Sequence, residues 1–213
     1  MTSPWTFGEE PLAETAELAT VLRRVTSLAL SMESADPRVR DLIDTLTEAE
    51  RSLAAAVPPS PVPRVGAAAD GDGRVYVDHS RDIGAYNPCF PEYEVVVDGD
   101  TATGTITFPV AYEGPPGLVH GGFLAVFFDS VIQHHNCDVG VAGKTTNLEL
   151  RYRRPTPLLT PLRFEIDRVA NGDRIESTGR LFDGDRLCAE AVMRALAGDR
   201  SNLPAVSSRR SAP

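Results

Sequence analysis

The spacing of apolar residues divides the chain into a helical N-terminal part and a β-rich remainder. Within residues 9–57 apolar side chains recur at helical intervals, which predicts two amphipathic helices. One stripe comprises Leu18, Val21, Leu22, Val25 and Leu28, and the other comprises Val39, Leu42, Ile43, Leu46 and Leu53. Between them the segment SADPRV predicts a second helix start, with Asp36 as N-cap and Pro37 at the first helical position. We expect this hairpin to pack on the rest of the protein or to form a dimer contact.

From residue 73 the apolar period changes to two, which is typical of half-buried strands. The alternating segments are RVYVD, EYEVVVDGDTATGTITFPV, TNLELRYRR and LRFEIDRVANGDRIESTGRLFDGDRLCAEAVMRAL. Asp98-Gly99, Asn171-Gly172 and Asp183-Gly184 stand where tight turns are expected. These segments therefore predict the hairpins of an antiparallel sheet.

A single helix interrupts the β-rich region. Gly121 and Gly122 begin it, and the run FLAVFF that follows is apolar at every angular position, so the helix must be buried all round. One apolar helix among antiparallel strands predicts an α+β fold in which a curved sheet wraps the helix.

Three segments follow from this pattern. Residues 1–63 form the N-terminal helical hairpin and its linker, because PPSPVP at residues 58–63 is a semi-rigid spacer. Residues 64–197 form the β-rich domain. Residues 198–213 contain too few apolar side chains to pack, so they are predicted to be disordered.

Composition and charge narrow the functional classes. The formal net charge of −9 argues against a nucleic-acid-binding protein and gives no attraction to anionic membranes. No apolar stretch is long enough to span a membrane, and the N-terminal sequence does not resemble a secretory signal, so we expect a cytoplasmic protein. Cys89, Cys137 and Cys188 lack the spacing of a disulfide framework or zinc site, and adjacent His134 and His135 diverge by about 100° on a helix. We therefore predict no metal.

Asp129 is the chemical anomaly of the apolar helix. Carboxylates are rarely buried without a partner, and no basic residue lies three or four positions away. The alternatives are an aspartate on a solvent-exposed flank and a functional carboxylate that acts as nucleophile or general base. The apolar residues on both sides favour the functional one.

The glycines before the helix suggest an oxyanion hole. A helix N-terminus presents unsatisfied N–H groups, and glycines let a ligand approach the backbone closely. An N–H of Gly121 or Gly122 would polarise a carbonyl while Asp129 attacks it or activates water. Gly121 and Asp129 lie about 12 Å apart along a helix, too far to reach one carbonyl together. The spacing therefore predicts a composite site in which two subunits pair their central helices.

These residues resemble the hotdog-fold acyl-CoA thioesterases, specifically the phenylacetate-degradation branch and the thioesterase-superfamily-member proteins. The motif HGGFLAVFFD is similar to the family signature, and YEGPPGLVHGG is especially similar to its long-chain mitochondrial members. TTNLELRYRRPTPL resembles the next strand of the family, and YNPCF resembles the Asn-Pro segment that opens the domain in several relatives. The resemblance covers residues 75–197.

The resemblance implies a role for each matching residue. Asp129 would be the nucleophile or general base, and the Gly121 N–H would polarise the thioester carbonyl. His120 would help position the thioester, and Thr145 would orient water or the carboxylate. One departure is Gly114, where some relatives have an asparagine that contacts the carbonyl.

Substrate binding and partners follow from the same resemblance. It implies coenzyme A as part of the substrate, no separate cofactor, and a homodimer that could pair into a tetramer. Lys144, Arg153 and Arg154 are candidate phosphate contacts in an otherwise acidic chain. Gly122 and Phe123 are candidates for lining the acyl site.

Two alternatives to a thioesterase remain. A non-catalytic acyl-CoA sensor could use the same pocket and signal through the helical hairpin. An enoyl-CoA hydratase of the same fold requires an Asp and a His where this chain has Ala85 and Phe90, which argues against hydration.

Overall fold

The computed structural model describes residues 13–56, 64–65, 82–139, 143–197 and 207–208. Its α-helices are α1 (Ala13–Leu30), α2 (Pro37–Ala56) and α3 (Gly121–Asp138). Its strands are β1 (Arg64–Val65), β2 (Tyr93–Asp98), β3 (Thr101–Ile106), β4 (Lys144–Tyr152), β5 (Leu162–Asn171), β6 (Arg174–Asp183), β7 (Arg186–Leu196) and β8 (Ser207–Ser208). The predicted strand RVYVD, the Pro-rich spacer and most of the predicted disordered tail lie outside the described residues.

Six strands form one antiparallel sheet in the order β2-β3-β5-β6-β7-β4, and β1 and β8 form a separate parallel pair. The three predicted hairpin turns are present, but each loop begins one residue later than the predicted pair. Asp98 still pairs with Thr101, so the loop is Gly99-Asp100. The glycine of each loop has a positive φ. Glycine adopts this conformation more easily than other residues, which explains its place at the first position of these two-residue hairpin loops.

Helix α3 supplies the centre of the core. Phe127, Phe128, Val131 and Ile132 are completely buried. They pack on the face of the sheet that carries Phe164, Ile166, Leu181, Ala191 and Met193. Gly179 of β6 makes room for the ring of Phe128, since a Cβ at that position would come within 2.8 Å of it. This arrangement of a sheet around a central helix confirms the predicted α+β hotdog architecture.

One flank of α3 is not covered by the sheet. The prediction of a helix buried all round is therefore wrong for the described residues: Ala125, Val126, Asp129 and Gln133 are only partly buried. The reason is that the sheet covers one side of the helix and leaves the side that carries Asp129 partly open.

The N-terminal helices form as predicted, but their apolar stripes remain largely exposed in this chain. Asp36 caps α2 by accepting the Arg38 N–H at 2.8 Å, and Pro37 is the first helical residue. Helix α2 buries no residue, and Leu18 and Leu28 of α1 are also exposed. Helix α1 docks instead on the short 3-10 helices Ile83–Ala85 and Val110–Tyr112.

A buried arginine holds α1 in place. Arg23, which is 5% exposed, donates to the carbonyls of Gly84 at 2.6 Å, Phe90 at 3.2 Å and Asn87 at 3.3 Å. It also pairs with the Glu92 carboxylate. Because these acceptors all belong to the segment leading into β2, one side chain joins the N-terminal helix to the domain.

None of the described helices has both the length and the hydrophobicity needed to cross a membrane. The described residues also contain no group of three or more His, Cys, Asp or Glu side chains arranged to hold a metal ion.

Candidate active site

Asp129 lies on the partly open flank of α3 and contacts Thr145, the second residue of β4. The Thr145 hydroxyl donates to its Oδ1 at 2.9 Å. Burial raises the pKa of the Asp129 carboxyl above its ordinary value, and the hydrogen bond from Thr145 partly offsets this effect. The carboxylate is thus less solvated than a surface aspartate, which makes it a stronger base.

A β-bulge directs Thr145 toward the helix. Leu148 and Leu150 of β4 pack on the core, and strict alternation would place the odd-numbered Thr145 on the opposite face. The register of β4 against β7 shifts between Thr145 and Asn147. This shift accounts for Thr145 contacting Asp129 on the same side of β4 as Leu148.

Gln133, one helical turn after Asp129, also belongs to this group, and the sequence reasoning missed it. Its side-chain amide donates to Thr145 Oγ1 and to the Gly143 carbonyl, both at 2.9 Å. The available signal was its position four residues after Asp129 on the same helix face.

Within the described part of the chain, the N-terminus of α3 leaves one backbone N–H without an acceptor. His120 is the N-cap, and its Nδ1 accepts the Gly122 N–H at 3.0 Å. The Phe123 N–H donates to the His120 carbonyl at 2.9 Å. Among the described residues the Gly121 N–H has no hydrogen-bond acceptor. Of the two predicted donors, Gly121 is therefore the one available to a ligand, whereas the Gly122 N–H is used by the cap.

The same capping hydrogen bond determines which ring nitrogen of neutral His120 carries the proton. Because His120 Nδ1 accepts a hydrogen bond, a neutral His120 carries its proton on Nε2, where it can donate outward. Gly114 lies directly behind this turn: a Cβ there would be 2.8 Å from the His120 Cα. A side chain such as the asparagine that the family resemblance implies for some members therefore has no room at Gly114 unless the turn moves.

An open cleft of about 600 Å³ lies at the N-terminus of α3. It is lined by His120, Gly121, Gly122, Arg153 and Arg154, among others. These are five of the nine predicted site residues, and they bring the Gly121 N–H and positive charge to one surface.

Tyr152, at the end of β4, closes one side of the cleft. Its hydroxyl donates to the Gly121 carbonyl at 3.0 Å, although the side chain is 60% exposed. A Cβ at Gly121 would come within 2.8 Å of that hydroxyl. Tyr152 is therefore a second site residue that the sequence reasoning did not single out.

The predicted phosphate contacts differ in their surroundings. Arg153 forms an ion pair with Glu190 at 3.2 Å, and Arg154 donates to the Leu187 carbonyl at 3.2 Å. Both line the cleft, whereas Lys144 lies at the other end of β4, next to Thr145. Phe123 is partly buried, with its ring 4.8 Å from that of Tyr112 and 6.1 Å from that of His120, and it is not among the residues that line the cleft.

The predicted residues therefore form two groups within one chain. His120, Gly121, Gly122, Arg153 and Arg154 gather at the cleft, and Asp129, Thr145 and Lys144 gather at the far end of β4. About 12 Å of helix rise separates Gly121 from Asp129. One small carbonyl cannot contact both groups in a single chain.

Comparison with known proteins identifies the fold. No protein-family model matches the chain. A crystal structure of a thioesterase superfamily protein is similar at 26% identity, with a TM-score of 0.70, over 89% of this chain and 94% of its own. Residues 64–213 together make up less than three quarters of the chain, so a match over 89% of it must include part of residues 1–63.

More distant solved structures match about half of the chain. A phenylacetic acid degradation-related protein of Ralstonia eutropha JMP134 is 22% identical over 49% of this chain and 83% of its own, with a TM-score of 0.44. A Streptococcus mutans protein crystallised with acetyl CoA is 16% identical over 52% of this chain and 93% of its own, with a TM-score of 0.48. The conclusion rests on the structure with 26% identity and a TM-score of 0.70. It confirms that the chain has the hotdog fold of the thioesterase superfamily, as the sequence motif predicted.

Proposed function

We propose that this protein is an acyl-CoA thioesterase that uses Asp129 of one subunit and the Gly121 N–H of another. The observation that carries the proposal is the Gly121 N–H, which has no acceptor among the described residues and lies at a cleft lined by two arginines. The similarity to a thioesterase superfamily protein supports thioester hydrolysis as the reaction class.

The chemistry requires one electrophile-activating donor and one base. A thioester carbonyl oxygen would accept the Gly121 N–H, which stabilises the negative charge that develops on it during attack. Asp129 would take a proton from water, and the resulting hydroxide would form the new C–O bond as the C–S bond breaks. The proton then passes to the departing thiolate. Direct attack by the carboxylate, followed by hydrolysis of the anhydride, uses the same groups.

Strand β4 offers a way to unite the two groups. It is at the edge of the described sheet, so about every second one of its nine residues has an N–H and a C=O that no described strand pairs. Thr145, which contacts Asp129, lies near its start, and Tyr152, which contacts Gly121, is its last residue. If two copies of β4 pair antiparallel about a twofold axis, the start of one lies beside the end of the other. That arrangement would bring Asp129 of one subunit toward Gly121 of its partner.

The cleft residues suggest where coenzyme A would bind. Arg153 and Arg154 supply positive charge beside the Gly121 N–H in a protein with a net charge of −9. Guanidinium groups suit phosphate oxygens, which they can bind through two parallel hydrogen bonds. We expect the phosphates to lie at these arginines and the thioester to extend toward Gly121.

Two variants test the roles of the groups. Asp129→Asn removes the base and should abolish hydrolysis of acyl-CoAs, measured by free-thiol release, while acyl-CoA binding persists. Gly121→Pro removes the N–H and should also abolish hydrolysis, because proline is tolerated at the first helical position and His120 already has the extended backbone that precedes proline. Since any Cβ at this position also displaces the Tyr152 hydroxyl, Gly121→Ala, which adds a Cβ but keeps the N–H, is the matched control and should retain more activity. Full activity in Asp129→Asn would refute the proposal.

A mixing experiment tests the composite site. Asp129→Asn and Gly121→Pro proteins are unfolded together and refolded, so that mixed dimers form. If each site uses groups from two subunits, each mixed dimer has one intact site, and about a quarter of the wild-type activity should return. If both groups act within one chain, every site retains a defect and no activity returns.

A further inference from the structure

Gln133 lies at the end of a short chain of hydrogen bonds that leads to Asp129. Its Nε2 donates to the Gly143 carbonyl and to Thr145 Oγ1, both at 2.9 Å, and the Thr145 hydroxyl donates to Asp129 Oδ1 at 2.9 Å. The three side chains thus run from a backbone carbonyl to the carboxylate without a break.

The chemistry of the acceptors fixes the direction of every bond. The Gly143 carbonyl can only accept, so the Gln133 nitrogen, and not its oxygen, must face it. That nitrogen can only donate, so Thr145 Oγ1 must accept from it. A threonine hydroxyl has one proton, which is then directed away from Gln133 and toward Asp129. The Met193 sulfur, 3.8 Å from Thr145 Oγ1, is a much weaker alternative acceptor.

We infer that Gln133 is a positioning residue: it holds the Thr145 hydroxyl as a hydrogen-bond donor to Asp129 and so fixes the orientation and basicity of that carboxylate. The inference rests on the proposed function of Asp129. No charged side chain of the described residues contributes to the shift in the pKa of Asp129, which arises from burial and is opposed by Thr145 alone. The Thr145 hydroxyl is therefore the one described polar contact through which the protein tunes this carboxylate.

The test combines substitutions at the two positions. Gln133→Met keeps the length of the side chain but cannot donate, so the Thr145 hydroxyl is released to rotate. We expect kcat to fall roughly three- to tenfold with little change in KM, and the acidic limb of the kcat/KM profile to move to higher pH. Thr145→Val should move the limb in the same direction and by at least as much, because it removes the hydroxyl itself.

The double variant distinguishes positioning from general damage. If Gln133 acts through Thr145, adding Gln133→Met to Thr145→Val should change kcat and the acidic limb no further. Thr146→Val is the matched control, since the Thr146 hydroxyl donates to the Arg194 carbonyl and not to Asp129, and its profile should remain that of the wild type. Gln133→Leu provides a second non-donating side chain should the methionine variant fold poorly.

Two results would overturn the inference. One is an acidic limb in Gln133→Met that coincides with the wild type, and the other is a loss of kcat that adds in full to that of Thr145→Val. Both would leave the proposed function intact as long as Asp129→Asn is inactive. Retained hydrolysis in Asp129→Asn would instead remove the proposed function, and this inference with it.

Discussion

Replacing Arg23 with methionine should detach α1 from the domain without unfolding the sheet. The guanidinium is 5% exposed and donates to the carbonyls of Gly84, Asn87 and Phe90. Methionine retains an apolar stem of similar length but leaves those carbonyls without this donor. The other partner, Glu92, is half-exposed, so its carboxylate can be solvated when the arginine is lost.

The magnitude follows from the contacts. Hydrogen bonds to a charged group contribute about 1.5–3 kcal/mol each, and two of the three carbonyl contacts are only partly buried, so water replaces part of the loss. We expect docking of α1 to weaken by about 2–4 kcal/mol. Amide hydrogen exchange within α1 should then accelerate roughly 30- to 1000-fold, because each 1.4 kcal/mol is a factor of ten.

The measurement is native-state hydrogen exchange by mass spectrometry on peptides from α1 and β6. Arg40→Met is the matched control, since Arg40 is an exposed arginine on α2, a helix that buries no residue. It should leave exchange in α1 unchanged. If exchange in α1 is equally slow in the wild type and Arg23→Met, the buried arginine is not what holds the helix.

Two further predictions concern the site. Burial raises the pKa of the Asp129 carboxyl, so the folded protein binds the carboxyl proton more tightly than the unfolded chain does. Protonated Asp129 therefore adds to the free energy of unfolding. This contribution is fully present below the ordinary pKa of an aspartate and is lost as the pH rises through the raised pKa. Asp129→Asn should therefore have a higher Tm than the wild type at pH 7, and the difference should vanish below about pH 4; an equal difference at both pH values would contradict this reasoning. Gly114→Ala places a methyl group 2.8 Å from the His120 Cα, so it should displace the turn, destabilise the fold by about 1–3 kcal/mol in urea unfolding and lower kcat. Pro116→Ala, at an exposed position that does not line the cleft, should leave kcat unchanged, and wild-type kcat in Gly114→Ala would show that the turn tolerates the shift.

Local sequence patterns were sufficient to predict the main strands, the start of helix α3 and the unusual position of Asp129 within that helix. Alternation predicted the strands from β2 to β7, and the apolar run after two glycines predicted the start of α3, because both depend on which side chains must leave water within a few residues. Asp129 stood out for the same reason. The position of the turns differed by one residue, since Asp-Gly and Gly-Asp loops share their composition and only strand register distinguishes them.

Details of the candidate site depended on contacts between distant parts of the chain. Whether Gly121 or Gly122 keeps a free N–H depends on the His120 side chain folding back over the turn. The contact between Thr145 and Asp129 depends on a bulge in β4, which shows in the pairing with β7 and not in the alternation of the strand itself.

The sequence by itself determined the helix, the sheet and the isolated carboxylate, because hydrophobic burial follows a period that a single segment reveals. Only the tertiary structure decided that Gln133 donates to Thr145, that Arg23 joins α1 to the domain, and that Gly114 has no room for a side chain. Hydrogen bonds and close approaches join residues through space, and their geometry is set by how the elements pack and not by the spacing within any one of them.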